Sequence, residues 1–290
     1  MVYLRLFLGV FACSVAVILI KASETHPFVL AALRLTFAAI LLTPVYWRDR
    51  QRHQAALNTS PLRRAWIPAL LLALHFISWA YGARLTVSAQ ATLIVNLVPI
   101  AMPFFLHWVV GERITAREIV GTAIAFAGLL VLSARDAIAA DGNVWGNLVC
   151  FGSMLLFAWY LALGRRNRDF PTLWLYLVPV YQRAAALALL FALPWLADFA
   201  YDQPREWLLM LCLAVLPTLI GHSLLNASMR HLRGQVVSLA NVSQFVFAGV
   251  MGWLIYHEAP PVAFYVASVL ATAGIAQVLF AAPTPPPRLR

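Results

Sequence analysis

The sequence predicts an all-α polytopic membrane protein whose ten transmembrane helices form two inverted five-helix repeats. Three observations carry this prediction. The chain contains ten apolar segments of membrane-spanning length, and its basic residues are concentrated in alternate connections between them. A weak internal repeat also divides the segments into two sets of five. Because five is odd, the second set must enter the membrane from the opposite side.

The composition excludes a soluble domain. Of the 290 residues, 62% are hydrophobic and only 11% are charged, and the mean hydropathy is +0.80. A soluble domain carries about 25% charged residues, which is the material of a water-facing surface. The net charge of +10 could suggest nucleic acid, but the arginines lie at the ends of spans rather than along one face. We therefore interpret them as topology signals and expect no nucleic-acid partner.

A transmembrane helix needs about 20 residues, because each residue rises about 1.5 Å. Arg5 lies at the start of the first span, which is interpreted as an uncleaved helix because no small-residue cleavage site precedes a polar region. The ten helices are predicted at 3–21, 27–47, 65–84, 88–109, 118–134, 144–164, 172–196, 207–229, 235–256 and 262–281.

The charge distribution sets the orientation. When alternate connections are assigned to one side, that side takes fifteen of the 21 lysines and arginines, including the richest connection, Arg48 to Arg64. The other side takes four: Lys21, Arg84, Arg135 and Arg205. Basic residues accumulate on the cytoplasmic side of membrane proteins. Both termini are therefore predicted to be cytoplasmic.

The two halves of the chain share a spaced set of residues. One constant shift, without a gap, pairs Gly82 with Ser228, Arg84 with Arg230, Glu112 with Glu258 and Gly128 with Gly274. Slightly different shifts pair Arg34 with Arg183 and Pro44 with Pro194. The predicted organisation is a first repeat over 1–138, an inverted second repeat over 139–282 and a Pro/Arg-rich cytoplasmic tail over 283–290. Inverted repeats are typical of secondary transporters, whose substrate site lies at mid-membrane between the halves.

Arg34 and Arg183 are charged residues inside predicted spans. An arginine at mid-span costs about 2.5–3.5 kcal/mol on insertion scales and needs partners. Each could bind a substrate carboxylate, which a guanidinium holds bidentately. Alternatively, each could brace a neighbouring helix end. Their matching positions in the two halves favour the structural role, because one substrate needs one site whereas both halves need the same scaffold.

Polar residues on the third and eighth spans are candidates for the wall of a hydrated cavity. His75, Ser78 and Trp79 share one helical face, and His222 and Asn226 do the same in the eighth span. The alternative is interhelical hydrogen bonding, at about 0.6 kcal/mol each in membranes. Further cavity candidates come from three other spans: Asn96 and Pro99 in the fourth, Trp159 and Tyr160 in the sixth, and Asn241 and Gln244 in the ninth.

Pro99 and Pro103 lie one helical turn apart in the fourth span. Each proline leaves the carbonyl four residues earlier without its helical hydrogen bond. Such carbonyls could contact substrate, or the prolines could simply kink the helix. The sequence leaves these two interpretations open.

Several kinds of chemistry find no support in the sequence. Cys13, Cys150 and Cys212 all lie in apolar spans without metal-ligand spacing, so we predict no disulfide, metal site or cofactor. The acidic residues lie at the ends of the predicted spans or in the connections, and no catalytic motif is found, so no enzyme and no catalytic residues are predicted. His75 and His222 are the candidate buried proton carriers, and the sequence leaves open whether transport is proton-coupled or passive.

With these features the chain resembles the EamA type of the drug/metabolite transporter superfamily. The residues that carry the resemblance are Arg34 in its Ala-Leu-Arg-Leu-Thr-Phe-Ala-Ala run, Asn96 to Pro99, Gly111-Glu112-Arg113, Gly221 to Ala227, His257-Glu258 and Ala267. The resemblance implies a ten-helix, two-repeat carrier that commonly exports amino acids or related metabolites from bacteria. Many relatives have a proline in the ninth span where this chain has Phe245, so a matched pair of helix breaks is left open.

The sequence as a whole predicts a secondary transporter, and by resemblance an exporter, that works by alternating access in the bacterial cytoplasmic (inner) membrane. Its expected partners are a small-molecule substrate, such as an amino acid, and the lipid bilayer, with the chain as a monomer or homodimer. The alternative is a membrane-embedded interaction or assembly factor without a transport cycle.

Overall fold

The computed structural model describes residues 1–53, 63–85, 91, 94–138, 144–199, 201–257 and 260–279, and within them the regular structure is helical. The helices are α1 (Val2–Ala22), α2 (Pro27–Arg52), α3 (Trp66–Leu85), α4 (Val98–Val110), α5 (Ala116–Ile138), α6 (Val144–Arg166), α7 (Leu173–Ala192), α8 (Pro204–Met229), α9 (Gly234–Asn241 and Gln244–Tyr256) and α10 (Val262–Leu279). Glu258, the predicted tail over 283–290 and most of the connection between α2 and α3 lie outside the described residues.

Eight of the described helices are long and apolar enough to cross a membrane, and α4 is a shorter apolar helix. Large apolar side chains lie exposed on the outside of the bundle, such as Phe104 at 75%, Trp108 at 70% and Val269 at 68%. A lipid-facing surface is built in this way, since hydrocarbon favours such side chains. The chain is therefore a multi-pass membrane protein, as its composition predicted.

The main contacts between helices follow the same pattern in both halves of the chain. The helix pairs with the most extensive contacts are α2 with α7 and α5 with α10, followed by α3 with α6 and α1 with α8. The next pairs are α4 with α6 and α1 with α9, then α3 with α7 and α2 with α8. Moving every helix number by five places turns this set of pairs into itself. Each half of the chain therefore packs against the other in an equivalent way.

The ends of α4 and α9 are also equivalent. Gly111 after α4 and His257 after α9 both adopt left-handed backbone conformations, with φ of +68° and +57°. A left-handed residue is a common helix stop, and glycine takes it without strain. The shift that pairs Glu112 with Glu258 also pairs these two stops. His257 thus keeps the backbone geometry even though it has a Cβ atom.

Both α4 and α9 are associated with a break, which the sequence left open. A turn at Asn96 and Leu97 precedes α4, and a turn at Val242 and Ser243 interrupts α9 at the paired positions. The amide of Leu97 donates to the carbonyl of Ile94 at 3.1 Å, and that of Ser243 donates to Ala240 at 3.1 Å. The Ser243 hydroxyl also donates to the Ala240 carbonyl at 2.6 Å. Serine side chains can compete for backbone carbonyls in this way. The break in α9 is therefore accompanied by a serine hydrogen bond and not by a proline.

Helix α8 departs from its counterpart α3. Its middle, Ala214–His222, is π-helical and contains Pro217. Proline has no N–H to give the carbonyl of Leu213, four residues earlier, and the Thr218 hydroxyl donates to that carbonyl at 2.8 Å. Single π-helical turns are frequent at functional sites. This irregular turn faces the middle of the bundle.

Candidate functional site

A cavity lies in the middle of the bundle, enclosed by residues from both halves of the chain. It leaves about 50 Å³ for the centres of water-sized groups, which is room for a few waters. Seven of the residues predicted from the sequence line it: Arg34, His75, Trp79, Asn96, His222, Asn241 and Gln244. None of its described lining residues is acidic.

Sequence reasoning missed the contribution of α1 and several apolar walls. The missed lining residues are Cys13, Ser14, Ala16, Val17, Phe76, Val95, Phe157, Pro217 and Ala248. Pro217 could have been predicted as a site of irregular structure, because a proline inside an apolar span disturbs the helix. The contribution of helix α1 was harder to predict, since Cys13 and Ser14 resemble ordinary small core residues in an apolar run.

The two histidines lie together at the cavity wall. The ring of His75 stacks on Phe157 at 4.6 Å, and its centroid lies 6.3 Å from that of His222. The Ser153 hydroxyl donates to the His75 carbonyl at 3.0 Å, while Nδ1 of His75 lies 2.9 Å from the same hydroxyl oxygen. Nδ1 also lies 3.0 Å from the Ser153 carbonyl oxygen, which can only accept, so this contact favours the tautomer with its hydrogen on Nδ1.

His222 has an unused polar atom. Its Nδ1 is buried and has no hydrogen-bond partner among the described residues. The ring packs edge-on against Phe76, with centroids 4.9 Å apart. A buried polar atom without a partner costs about 1–3 kcal/mol, so a group that bonded this nitrogen would be favoured.

Arg34 is held on one side only. Its Nε donates to the Thr218 hydroxyl at 2.6 Å, and its guanidinium carbon lies 3.8 Å from the centroid of the Phe76 ring. The residue is 3% exposed. Among the described residues it forms no ion pair. A guanidinium without a carboxylate therefore borders the cavity.

Other predicted site residues lie away from the cavity wall. Ser78 donates to the Leu74 carbonyl of its own helix at 2.6 Å. Trp159 stacks on Phe105, with centroids 5.8 Å apart. Arg183 donates from Nη1 to the Pro179 carbonyl of its own helix at 3.1 Å. These three side chains serve the packing within or between helices.

Tyr160 and Asn226 form a layer behind His222. The Asn226 side-chain amide donates to the Tyr160 hydroxyl at 2.9 Å and to the His222 carbonyl at 2.9 Å. Both residues are almost fully buried. They hold the backbone of α8 at the position where His222 enters the cavity, and they do not line it.

Pro99 contributes to helix contact rather than to the main cavity. Pro103 leaves the Pro99 carbonyl without its helical donor, and the side-chain amide of Gln235 donates to that carbonyl at 2.9 Å. The same amide donates to the Thr122 hydroxyl at 3.0 Å. The Pro99 carbonyl, which the sequence suggested as a contact for substrate, therefore bonds Gln235 and joins α4 with α9.

Buried ion pairs join helix ends at one end of the bundle. Glu112 accepts from Arg165 Nε at 3.1 Å and from the amide of Gly234 at 3.0 Å. Glu118 accepts from Arg233 Nε at 2.5 Å. Burial acts to lower the pKa of Arg233, but the hydrogen bond and charge of Glu118 raise it above its ordinary value. These ion pairs connect the segments at the ends of α4, α6 and α8.

Paired arginines hold equivalent loops at the two ends. Arg84 at the end of α3 donates to the Ser23 carbonyl at 2.8 Å, in the loop after α1. Arg230 after α8 donates to the Phe170 carbonyl at 2.6 Å, in the loop after α6. The sequence repeat pairs these two arginines, and in the structure each donates to a backbone carbonyl of the equivalent loop in its own half.

A membrane-embedded bundle whose central cavity takes polar side chains from both halves of the chain suits a membrane transporter. The chain belongs to the EamA-like transporter family, whose model matches residues 1–134 and again residues 144–280. The resemblance to the EamA type is thereby confirmed. A crystal structure described only as that of a protein shares the fold, with a TM-score of 0.77, 21% identity, and coverage of 97% of this chain and 98% of that chain. The comparison with curated proteins yields no match.

Proposed function

We propose that the chain is a secondary transporter, and specifically an exporter, of small metabolites such as amino acids, working by alternating access. Its ten helices would all span the membrane as two inverted repeats over 1–138 and 139–282. It would reside in the bacterial inner membrane with both termini in the cytoplasm. The observation that carries the proposal is the cavity, to which one half contributes Arg34 and His75 and the other His222 and Gln244.

The helix packing supports alternating access. Pairs such as α3 with α6 and α1 with α8 exchange when the halves are interchanged, which is the relation expected of a rocking-bundle carrier. In such a cycle the segments joined by Glu112 and Arg165 would move relative to one another. The cavity would then face each side of the membrane in turn, and both halves would contact the solute throughout.

The direct test is flux in proteoliposomes. The purified protein would be reconstituted and assayed with a panel of labelled amino acids and related metabolites, with and without a pH gradient. Saturable flux of one solute supports the proposal. Flux of no solute by correctly folded protein argues for the assembly-factor alternative.

His222→Ala is expected to lower the flux of the transported solute by about 10-fold, because one hydrogen-bonding group at the cavity is worth about 1.4 kcal/mol. His107→Ala is the matched control, because His107 is exposed on the outside of α4. Both variants should insert and purify equally well. Equal flux in the two variants would remove His222 from the site, and a change in the pH dependence in the first alone would indicate coupling through this ring.

A further inference from the structure

Arg34 places a positive charge in the cavity that its neighbours do not neutralise. The residue is 3% exposed, no described lining residue is acidic, and Arg34 forms no ion pair among the described residues. Its hydrogen bond from Nε is the one that the described residues provide, so both terminal amino groups remain available. A buried charge without a partner is costly, and an arriving anion removes that cost.

Thr218 determines which edge of Arg34 is available. Its hydroxyl donates to the Leu213 carbonyl at 2.8 Å, so the oxygen is left to accept from Nε of Arg34 at 2.6 Å. The ring of Phe76 covers one face of the guanidinium at 3.8 Å. The end formed by the two amino groups is therefore the free edge. Two parallel N–H donors at such an edge match the two oxygens of a carboxylate.

Arg183, the counterpart of Arg34 in the sequence repeat, has a different environment. Its Nη1 donates to the Pro179 carbonyl at 3.1 Å, and its guanidinium carbon lies 5.0 Å from the centroid of the Trp66 ring. It is not among the cavity-lining residues. A scaffold role shared by both halves would leave the two arginines alike. The difference separates Arg34 from the purely structural role.

We propose that the free edge of Arg34 is a carboxylate subsite, so that the transported solute is a small carboxylate, such as a short-chain amino acid. This inference rests on the proposed transport function. The neutral groups around the cavity, including His222 and Gln244, would bond the rest of the solute. The cavity volume of about 50 Å³ suits a short chain, because a cavity that holds benzene measures about 150 Å³.

The test is ligand-induced stabilisation of the purified protein, followed by tryptophan fluorescence during heating. The probes are acetate, propionate and L-alanine, each compared with its uncharged or cationic amide: acetamide, propionamide and alaninamide. We expect the acids to raise the apparent Tm of the wild type and the amides to have no effect. In Arg34→Gln the dissociation constant for the acids should increase about 10- to 100-fold, because a charge-assisted hydrogen bond contributes about 1.5–3 kcal/mol. Arg183→Gln is the matched control and should bind as the wild type does.

Two further variants keep the test decisive if Arg34→Gln does not fold. Arg34→Lys keeps the charge but lacks the planar fork, and Thr218→Val removes the hydroxyl that orients the fork. Each should weaken binding of the acids by about 10-fold, which is the effect of about 1.4 kcal/mol. Equal stabilisation by acids and amides, or unchanged affinity in the arginine variants, overturns the subsite.

Flux measurements separate this inference from the proposed function. Transport of a solute that persists unchanged in Arg34→Gln leaves the carrier in place and rejects the carboxylate subsite. Arg34-dependent binding of carboxylates without flux of any solute in proteoliposomes retains the subsite and rejects the transport cycle. Flux of carboxylates that is lost with Arg34 and kept with Arg183→Gln supports both.

Discussion

Replacing Glu112 with alanine is expected to lower the free energy of unfolding by about 3–5 kcal/mol, since breaking a buried ion pair leaves an uncompensated charge. Arg165, its partner at 3.1 Å, is 1% exposed and cannot reach water. The amide of Gly234 loses its acceptor in the same substitution. We therefore expect a large fall in the apparent Tm of the detergent-purified protein, measured by tryptophan fluorescence.

Glu24→Ala is the control for this substitution. The Glu24 side chain is 80% exposed, and its nearest cation, Arg205, lies 4.0 Å away. Exposed ion pairs contribute about 0–1 kcal/mol, so this variant should retain the apparent Tm of the wild type. Glu112→Gln should fall between the two, because the amide oxygen can still accept from Gly234. If Glu112→Ala unfolded at the temperature of Glu24→Ala, the ion pair would not stabilise this end of the bundle.

Gly274→Ala is expected to destabilise the contact between α5 and α10 by about 1–3 kcal/mol, the usual effect of overpacking. A Cβ atom at this position would lie 2.8 Å from the amide nitrogen of Ala125 and closer still to the Gly121 carbonyl. Both are backbone atoms, so neither can rotate away. The apparent Tm should fall, and a crosslink between cysteines placed in α5 and α10 should form more slowly.

Gly252→Ala is the control, and it is expected to leave the stability unchanged or to raise it. A Cβ atom at Gly252 meets no heavy atom within 4 Å, and alanine is about 1 kcal/mol better than glycine inside a helix. The apparent Tm of this variant should stay the same or rise. A fall of equal size in both variants would show that the helix backbone, rather than the α5–α10 contact, responds to the change.

Much of the fold followed from hydropathy and spacing. The predicted segments at 3–21 and 144–164 correspond to Val2–Ala22 and Val144–Arg166. The membrane imposes this agreement, because backbone groups in hydrocarbon must bond within their own helix. The break in α9 could not be predicted in the same way. The Ser243 hydroxyl bonds the Ala240 carbonyl at this break, and no proline marks it.

The candidate site was less accessible to sequence reasoning. Helical spacing placed His75 beside Trp79, and both line the cavity, but it also placed Ser78 there, and that hydroxyl bonds its own helix. A helical face is wide, and spacing cannot distinguish a side chain that points into a cavity from one that points at a neighbouring helix. The place of Ser14 of α1 in the cavity wall could not be predicted either, because its neighbours in the sequence are mostly apolar.

The sequence by itself determined the class of this protein, its helices and its repeat, because these depend on local hydrophobicity and on residues at fixed spacing. Only the tertiary structure decided which of the two arginines predicted inside spans lies at the cavity. Arg34 and Arg183 occupy paired positions in the chain, yet one borders the cavity and the other bonds its own helix. The difference arises from neighbours distant in sequence, above all Thr218, which stands in the π-helical turn that contains Pro217. Such contacts between helices are set by packing, and a pattern along one chain segment does not contain them.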